Sequence, residues 1–364
     1  MGSEKMKILF LNTNIGYGGA SKMMVFVANR LAQAGHDVSF LTYRDNTSLQ
    51  NLSPAVIHIH KPWEEGSSKG LMLVKTLSEL HKYIVAEKFD VAVAFLSPSQ
   101  LRLAIARLGT KTKTLFSQRG DPYQNNKNKR IGNWVINKSF TSADYYVFQT
   151  EGAQKFYKTN IIQRSVIIPN PVEKSEVCLK NIQRDKRIVN VARLDLYQKR
   201  QDLLIKAFKK FNLEFPEYTL HLYGDGPDEE EIKSLIKGDN NIIMHGAVNN
   251  ISEEIKTACM FVLTSDFEGI PNALIEAMEL GIPCISTRCS PGGAELLISH
   301  NKNGLLAECG DVDGIVTAMK KYANDLTFAT KMGESAKRIA EDFSEERIGN
   351  MWVDLFCRIN KGEF

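Results

Sequence analysis

No stretch of the chain approaches the roughly 20 consecutive apolar residues that a bilayer-spanning helix needs. The amino-terminal segment MGSEKMKILFLN carries an apolar run too short for a secretory leader, so a cytoplasmic protein is expected, at most peripheral to the inner face of a membrane. Cysteine is sparse. The six (Cys178, Cys259, Cys284, Cys289, Cys309 and Cys357) form no CxxC and stand in no metal-ligand spacing with histidine, which disfavours a zinc site and a disulfide framework and leaves reduced thiols as the expectation. There is no repeat at solenoid period and no low-complexity tract. A net charge of only +4 gives no reason to expect a nucleic-acid partner.

What is present is ordinary in amount and uneven in placement. Hydrophobic residues make up 43% and charged residues 24%, as in a soluble globular protein, and 364 residues suit two domains better than one core. Residues 1–170 hold 22 Lys and Arg against 11 Asp and Glu; residues 171–364 hold 24 against 31. The basic half suits solvent alone, or an anionic membrane face or anionic acceptor, and Lys111, Lys113, Lys127, Lys129 and Arg130 are where such a partner would bind.

Short apolar runs alternate with helical periodicity. KILFLN (7–12), a helix over 21–35 and DVSFLTY (37–43) form a βαβ unit, and strands are expected at 91–96, 114–118, 145–150 and 165–169. After Asn170-Pro171 the pattern restarts, with strands at 187–193, 220–224, 242–246, 261–265, 283–287 and 304–308. Such strands belong to parallel sheets covered on both faces. The expected organisation is a Rossmann-like domain over 1–170, a second over 171–344, and an amphipathic helix over 345–364 packing back on the first. Ligands of doubly wound domains bind at the carboxyl ends of the strands, so two such domains would face one cleft.

The densest signal is SDFEGIPNALIEAMELG, residues 265–281. FVLTS ends a strand, the loop follows, and Pro271 reads as the first residue of a helix. Amides of Asn272, Ala273 and Leu274 would then lack helical partners and would welcome an anion. Glu276 sits one turn in, in an otherwise apolar helix, where a carboxylate is better suited to accept ribose hydroxyls than to neighbour an anion. Glu268, taken alone, is a loop charge. In VARLDLYQKRQDLLIKAF (191–208), Arg193 leaves a strand and Lys199 opens a helix, a pair suited to clamp a diphosphate. Asp311 in DVD (311–313) reads as a helix N-cap rather than a metal ligand, and no catalytic metal is expected. YGDGPDEEEIK (223–233) reads as a turn bordering a nucleotide, with His245 near the base.

With SPGGAELL (290–297) and the NGLL turn at Gly304, these motifs resemble the carboxyl-terminal donor-binding domain of retaining glycosyltransferases of family 4, over most of 187–347 and more weakly over the first domain. The resemblance implies a GT-B fold and no cofactor. It implies that Arg193 and Lys199 hold the donor diphosphate and Glu268 the donor sugar. Gly269, Ile270, Pro271, Asn272, Ala273 and Leu274 would line the donor site, and Glu276 would hold the ribose. NIGYGGASK (14–22) has Ser21 where a dinucleotide fingerprint needs its third glycine, which argues against a redox enzyme. The family brings such a loop to the donor phosphate, which implicates Gly18 and Gly19. SQRGDPY (117–123) places Arg119 and Asp121 where many relatives carry a histidine, as candidate sugar or acceptor contacts. The expected activity is metal-independent, retaining transfer of a hexose or N-acetylhexosamine from a nucleotide-diphosphate sugar, foremost UDP-linked, to a glycan or polyprenyl-diphosphate-linked acceptor. A sugar-nucleotide epimerase and a non-catalytic sugar-nucleotide binder are the alternatives.

Overall fold

The computed structural model describes residues 5–15, 19–44, 51–63, 69–124, 130–172 and 182–364. Within them the chain forms two compact units, Met1–Asn170 with Glu346–Phe364, and Pro171–Glu345.

In the first unit the strands are β1 (Lys7–Asn12), β2 (Asp37–Thr42), β3 (Ile57–His60), β4 (Val91–Ala94), β5 (Lys113–Gln118), β6 (Tyr145–Phe148) and β7 (Ser165–Ile167). They pair in parallel in the order β3-β2-β1-β4-β5-β6-β7. The strand order, not the strand direction, reverses between β1 and β4, which is the doubly wound switch point. Along β1, Ile8 and Phe10 enter one apolar cluster and Leu9 and Leu11 the other, which is why the strand reads as an unbroken apolar run. The edge strand β3 was not legible in the sequence. IHIH is only four residues long, and although apolar and polar residues alternate along it, burial does not follow the alternation: Ile57 is exposed, and His58 and Ile59 are half-buried alike.

The helix Glu345–Lys361 presents Ile348, Trp352, Leu355, Phe356 and Ile359 as one stripe, and all five join the cluster formed by β1, β4 and the helix Gly19–Gln33. Trp352 is fully buried with its ring 5.7 Å from that of Phe95.

The second unit contains β8 (Arg187–Val191), β9 (Thr219–Tyr223), β10 (Ile242–Gly246), β11 (Met260–Leu263), β12 (Cys284–Thr287) and β13 (Leu305–Ala307), parallel in the order β10-β9-β8-β11-β12-β13. Again both faces are covered: Phe261 and Leu263 lie in one cluster, Met260 and Val262 in the other. Asp311 caps the helix Val312–Asn324, accepting the Gly314 amide at 2.8 Å. Among the described residues no helix is long and apolar enough to cross a membrane.

Candidate functional site

In the second unit the site residues stand on loops that leave the carboxyl ends of β8 and β11, which are adjacent strands. The loop after β8 is fixed by the YGDGP turn. Ala192 donates to the Tyr223 carbonyl at 3.0 Å, Leu194 to Asp225 at 2.8 Å, and Leu196 to the Asp228 carboxylate at 2.6 Å. A Cβ at Gly224 would lie 2.0 Å from the Ala192 carbonyl oxygen, and one at Gly226 would lie 2.2 Å from that of Leu194. These glycines permit backbone contact with the loop carrying Arg193. From that braced loop Arg193 projects with its side chain 63% exposed, 3.7 Å from Asp195.

Lys199 does not open a helix. Arg200 follows in the left-handed conformation (φ 53°), and the helix runs from Gln201 to Asn212. The single hydroxyl proton of Thr264, just after β11, is shared between the carbonyls of Lys199 and Arg200, each with its oxygen 3.0 Å away. Arg200 is further held by Asp266 at 2.8 Å and Asp202 at 3.1 Å. Hydrogen bonds to Asp202 and Asp266 raise its already high pKa.

Locking this turn brings Lys199 to Glu268, with which it forms an ion pair. Glu268 is 7% exposed. Its Oε1 also accepts Ser265 Oγ at 2.7 Å, and Oε2 accepts Gln198 Nε2 at 3.4 Å. Gln198 and Ser265 were not singled out from the sequence. The available signal was position, since Ser265 ends a strand three residues before an acid.

The loop from Asp266 to Pro271 rests on the segment after β12. Glu268 N–H donates to Ser290 O at 2.7 Å, and Ser290 N–H to Asp266 O at 3.2 Å. A Cβ at Gly293 would meet the Gly269 carbonyl oxygen at 1.8 Å, so only glycine allows this approach. Pro271 is the N-cap and not the first helical residue; its ψ of 101° is extended, and the helix runs Asn272–Glu279. The amide of Leu274 is not open as expected, because it donates to Pro271 O at 3.1 Å. Ile270 and Leu274 turn their side chains into the core, so what they offer a ligand is backbone. The helix ends in a Schellman motif, with Gly281 (φ 65°) donating to Met278 O at 2.9 Å and Ile282 to Ala277 O at 3.0 Å.

The acid in this helix also needs correction. Glu276 is half-buried, on the same flank as exposed Asn272, while Leu274, Ile275, Ala277 and Met278 face inward. The buried helical acid is Glu279, at 8% exposure. In an eight-residue helix the inward arc covers residues on both sides of Glu276, which makes it read as more enclosed than it is.

His245 is engaged with His221 at 2.8 Å, and its ring stacks 4.3 Å from that of Tyr223. Burial, then the neighbouring His245 and Arg187, lower the His221 pKa to about 4.

In the first unit, Gly19 begins the helix Gly19–Gln33 and is exposed; Gly18 lies outside the described residues. Ser21, in place of a third glycine, accepts Asn12 Nδ2 at 3.1 Å and so ties the helix start to the end of β1. Arg119 follows β5 and donates from Nη1 to Asn170 Oδ1 at 3.0 Å, with its guanidinium 4.5 Å from the centroid of Phe95 and 5.6 Å from that of Trp352. Asp121 accepts the Tyr123 amide at 2.9 Å.

Two doubly wound units, one gathering two basic residues, a buried carboxylate and a helix start at adjacent strand ends, define an α/β protein suited to an anionic ligand. Comparison with known proteins sharpens the class. Residues 17–176 match "Glycosyltransferase Family 4" and residues 174–339 match "Glycosyl transferases group 1", which together span most of the chain. The chain belongs to the family-4-type glycosyltransferases, and its fold is GT-B. It is 27% identical over 362 residues to an uncharacterized glycosyltransferase of Haemophilus influenzae, covering 96% of this chain and 99% of that protein. It is 24% identical to a Campylobacter jejuni alpha-1,4-N-acetyl-D-galactosaminyltransferase named for a diNAcBac-PP-undecaprenol-linked glycan, covering 97% and 99%. In fold it is similar to the lipopolysaccharide outer core galactosyltransferase WaaB (TM-score 0.76, 20% identity, 99% and 100% covered). It is likewise similar to Anabaena HepE in complex with UDP (TM-score 0.79, 18% identity, 96% and 99% covered).

Proposed function

We propose that this glycosyltransferase moves a hexose or N-acetylhexosamine from a UDP-sugar to a glycan or lipid-linked oligosaccharide, with retention of anomeric configuration and without a catalytic metal. The observation that carries the reading is the assembly at the ends of β8 and β11: Arg193 on a braced loop, Lys199 paired with buried Glu268, and the start of the helix Asn272–Glu279.

Cleavage of the donor places negative charge on the departing diphosphate. Arg193 offers a planar fork from the exposed side. Lys199 spends one of its three protons on Glu268 and keeps the others for phosphate oxygens. The helix start adds a partial positive charge. These groups are in place before reaction, which is what makes such charge stabilisation effective. Glu268 therefore has two tasks in this reading, aiming the Lys199 ammonium and bordering the donor sugar, while half-buried Glu276 accepts the ribose hydroxyls. The UDP preference draws on HepE, a structural neighbour solved with UDP. The acceptor class draws on the Campylobacter relative.

A membrane-linked acceptor also draws on exposed apolar and basic side chains of the first unit. Ile105 and Leu108 lie at the end of the helix Ser97–Ala106, which packs against the helix Arg130–Phe140 carrying Trp134, and all three side chains are exposed, Trp134 by 66%. Lys111 and Lys113 lie nearby in sequence and are exposed, while Lys127 and Lys129 and the side chain of Arg130 are outside the described residues. Exposed apolar side chains together with exposed lysines suit an anionic lipid surface.

The test is release of UDP from a UDP-sugar. Release that depends on added acceptor supports transfer. Conversion of the donor alone would indicate an epimerase, and binding without turnover a sugar-nucleotide binder. A thermal-shift comparison of UDP-, GDP- and ADP-sugars identifies the nucleotide, because a ligand of the folded state raises the melting temperature.

A further inference from the structure

Arg119 is a cation whose hydrogen bonding the described residues do not complete. Nη1 reaches Asn170, whose Oδ1 also accepts Gln149 Nε2 at 2.8 Å. Nε and Nη2 are buried and have no partner among the described residues, and neither do Gln149 Oε1 and Trp352 Nε1. The two open donors are not scattered. Nε–H and one Nη2–H point the same way from the guanidinium plane's long edge, the edge that makes two parallel bonds to a carboxylate or a phosphate.

The surroundings fix where that edge lies. Phe95, just after β4, and Trp352, from the helix Glu345–Lys361, both lie against the guanidinium, and Asn170 holds the remaining nitrogen. Arg119 itself follows β5, next to β4 and the switch point, at the end of the sheet where doubly wound units bind ligands. The aromatic faces supply some compensation for the charge but none for the edge donors, and burial without an acid draws the guanidinium pKa down to about 9. An unmatched fork of this kind costs stability unless something outside the protein matches it.

We propose that the Nε–Nη2 edge of Arg119 is an anion subsite that receives two oxygens of a phosphate or carboxylate borne by the acceptor. Phe95, Trp352 and Asn170 are its positioning residues. The donors are closed to water in this state, so binding comes with a shift of the side chains that cover them. Only the assignment of the anion to an acceptor rests on the transferase reading; the subsite itself does not.

The direct test uses the full chain labelled with 15N-arginine, the Arg119 Nε–H resonance being assigned by its loss in Arg119→Met. Inorganic phosphate is titrated in one arm and glucuronate in the other, without nucleotide. The expected result is a saturable shift of the Arg119 resonance that persists in Arg193→Ala. Calorimetry should show that Arg119→Lys, which keeps the charge and loses the fork, weakens binding by about tenfold or more. A stronger response to phosphate identifies a phosphorylated acceptor, and a stronger response to glucuronate an acidic sugar. Arg119→Met should melt at or above the wild-type temperature, since an apolar side chain replaces an unmatched buried fork. No response to either anion, or equal affinity in Arg119→Lys, overturns the proposal, while leaving acceptor-dependent UDP release as a separate result.

Discussion

Replacing Lys199 by alanine should do two separable things, and the structure sets the size of each. Its side chain is 17% exposed and that of Glu268 8%, so the pair is largely withdrawn from water. Among the described residues, removing one member leaves Glu268 with Ser265 and Gln198 as side-chain donors, and breaking a buried pair costs about 3 to 5 kcal/mol. For a unit of this size that lowers the melting temperature by about 10 °C. Turnover should fall by roughly 100- to 1,000-fold, the usual effect of removing one preorganised charge-stabilising contact. Arg193→Ala is the contrast. Its side chain is 63% exposed and only loosely paired, so stability should change by less than about 1 kcal/mol while turnover falls as far. The double replacement Lys199→Met with Glu268→Leu should recover most of the lost stability, because two apolar groups bury without a charge, yet remain inactive. Urea unfolding with acceptor-dependent UDP release reads both quantities. If Lys199→Ala keeps its stability within about 0.5 kcal/mol, or keeps wild-type turnover, the reasoning about the pair is wrong.

Two further outcomes follow from the geometry. Gly293→Ala should cost at least 1 to 3 kcal/mol and weaken UDP-sugar binding, because its methyl group would sit 1.8 Å from the Gly269 carbonyl oxygen and push the loop that carries Glu268; unchanged affinity in calorimetry would show that the loop is not braced there. The His221 pKa lies below its unfolded value, so its contribution to stability is complete above pH 6.5 and is lost as pH falls from 6.5 toward about 4, by up to about 3 kcal/mol. His221→Gln should flatten the decline over that window, and an unchanged pH profile in chemical denaturation would refute it.

Much of this was legible in the sequence, and the reasons for the gaps are physical. Parallel strands covered on both faces announce themselves as apolar runs, which is why β1, β8 and β11 could be read directly. The edge strand β3 carries no such mark. The strand–loop–helix succession around Glu268 was readable because proline and glycine punctuate it. The ion pair with Lys199 was not, because it depends on a left-handed turn at Arg200 that residue type does not favour and that Thr264 and Asp266 hold from the loop after β11. Glu276 looked enclosed because its sequence neighbours are apolar, yet they occupy an arc it does not share. Arg119 was visible as a cation after a strand, whereas its aromatic wall comes from Trp352 near the far end of the chain.

The central claim is that a donor diphosphate lies between Arg193, Lys199 and the start of the helix Asn272–Glu279, with ribose hydroxyls on Glu276. A crystal structure of the chain with an intact UDP-sugar tests it most directly. The expected result is phosphate oxygens within hydrogen-bonding distance of both Arg193 and Lys199, and both ribose hydroxyls donating to Glu276. A nucleotide bound away from the ends of β8 and β11, with the Lys199–Glu268 pair unchanged and Glu276 facing solvent, would contradict it.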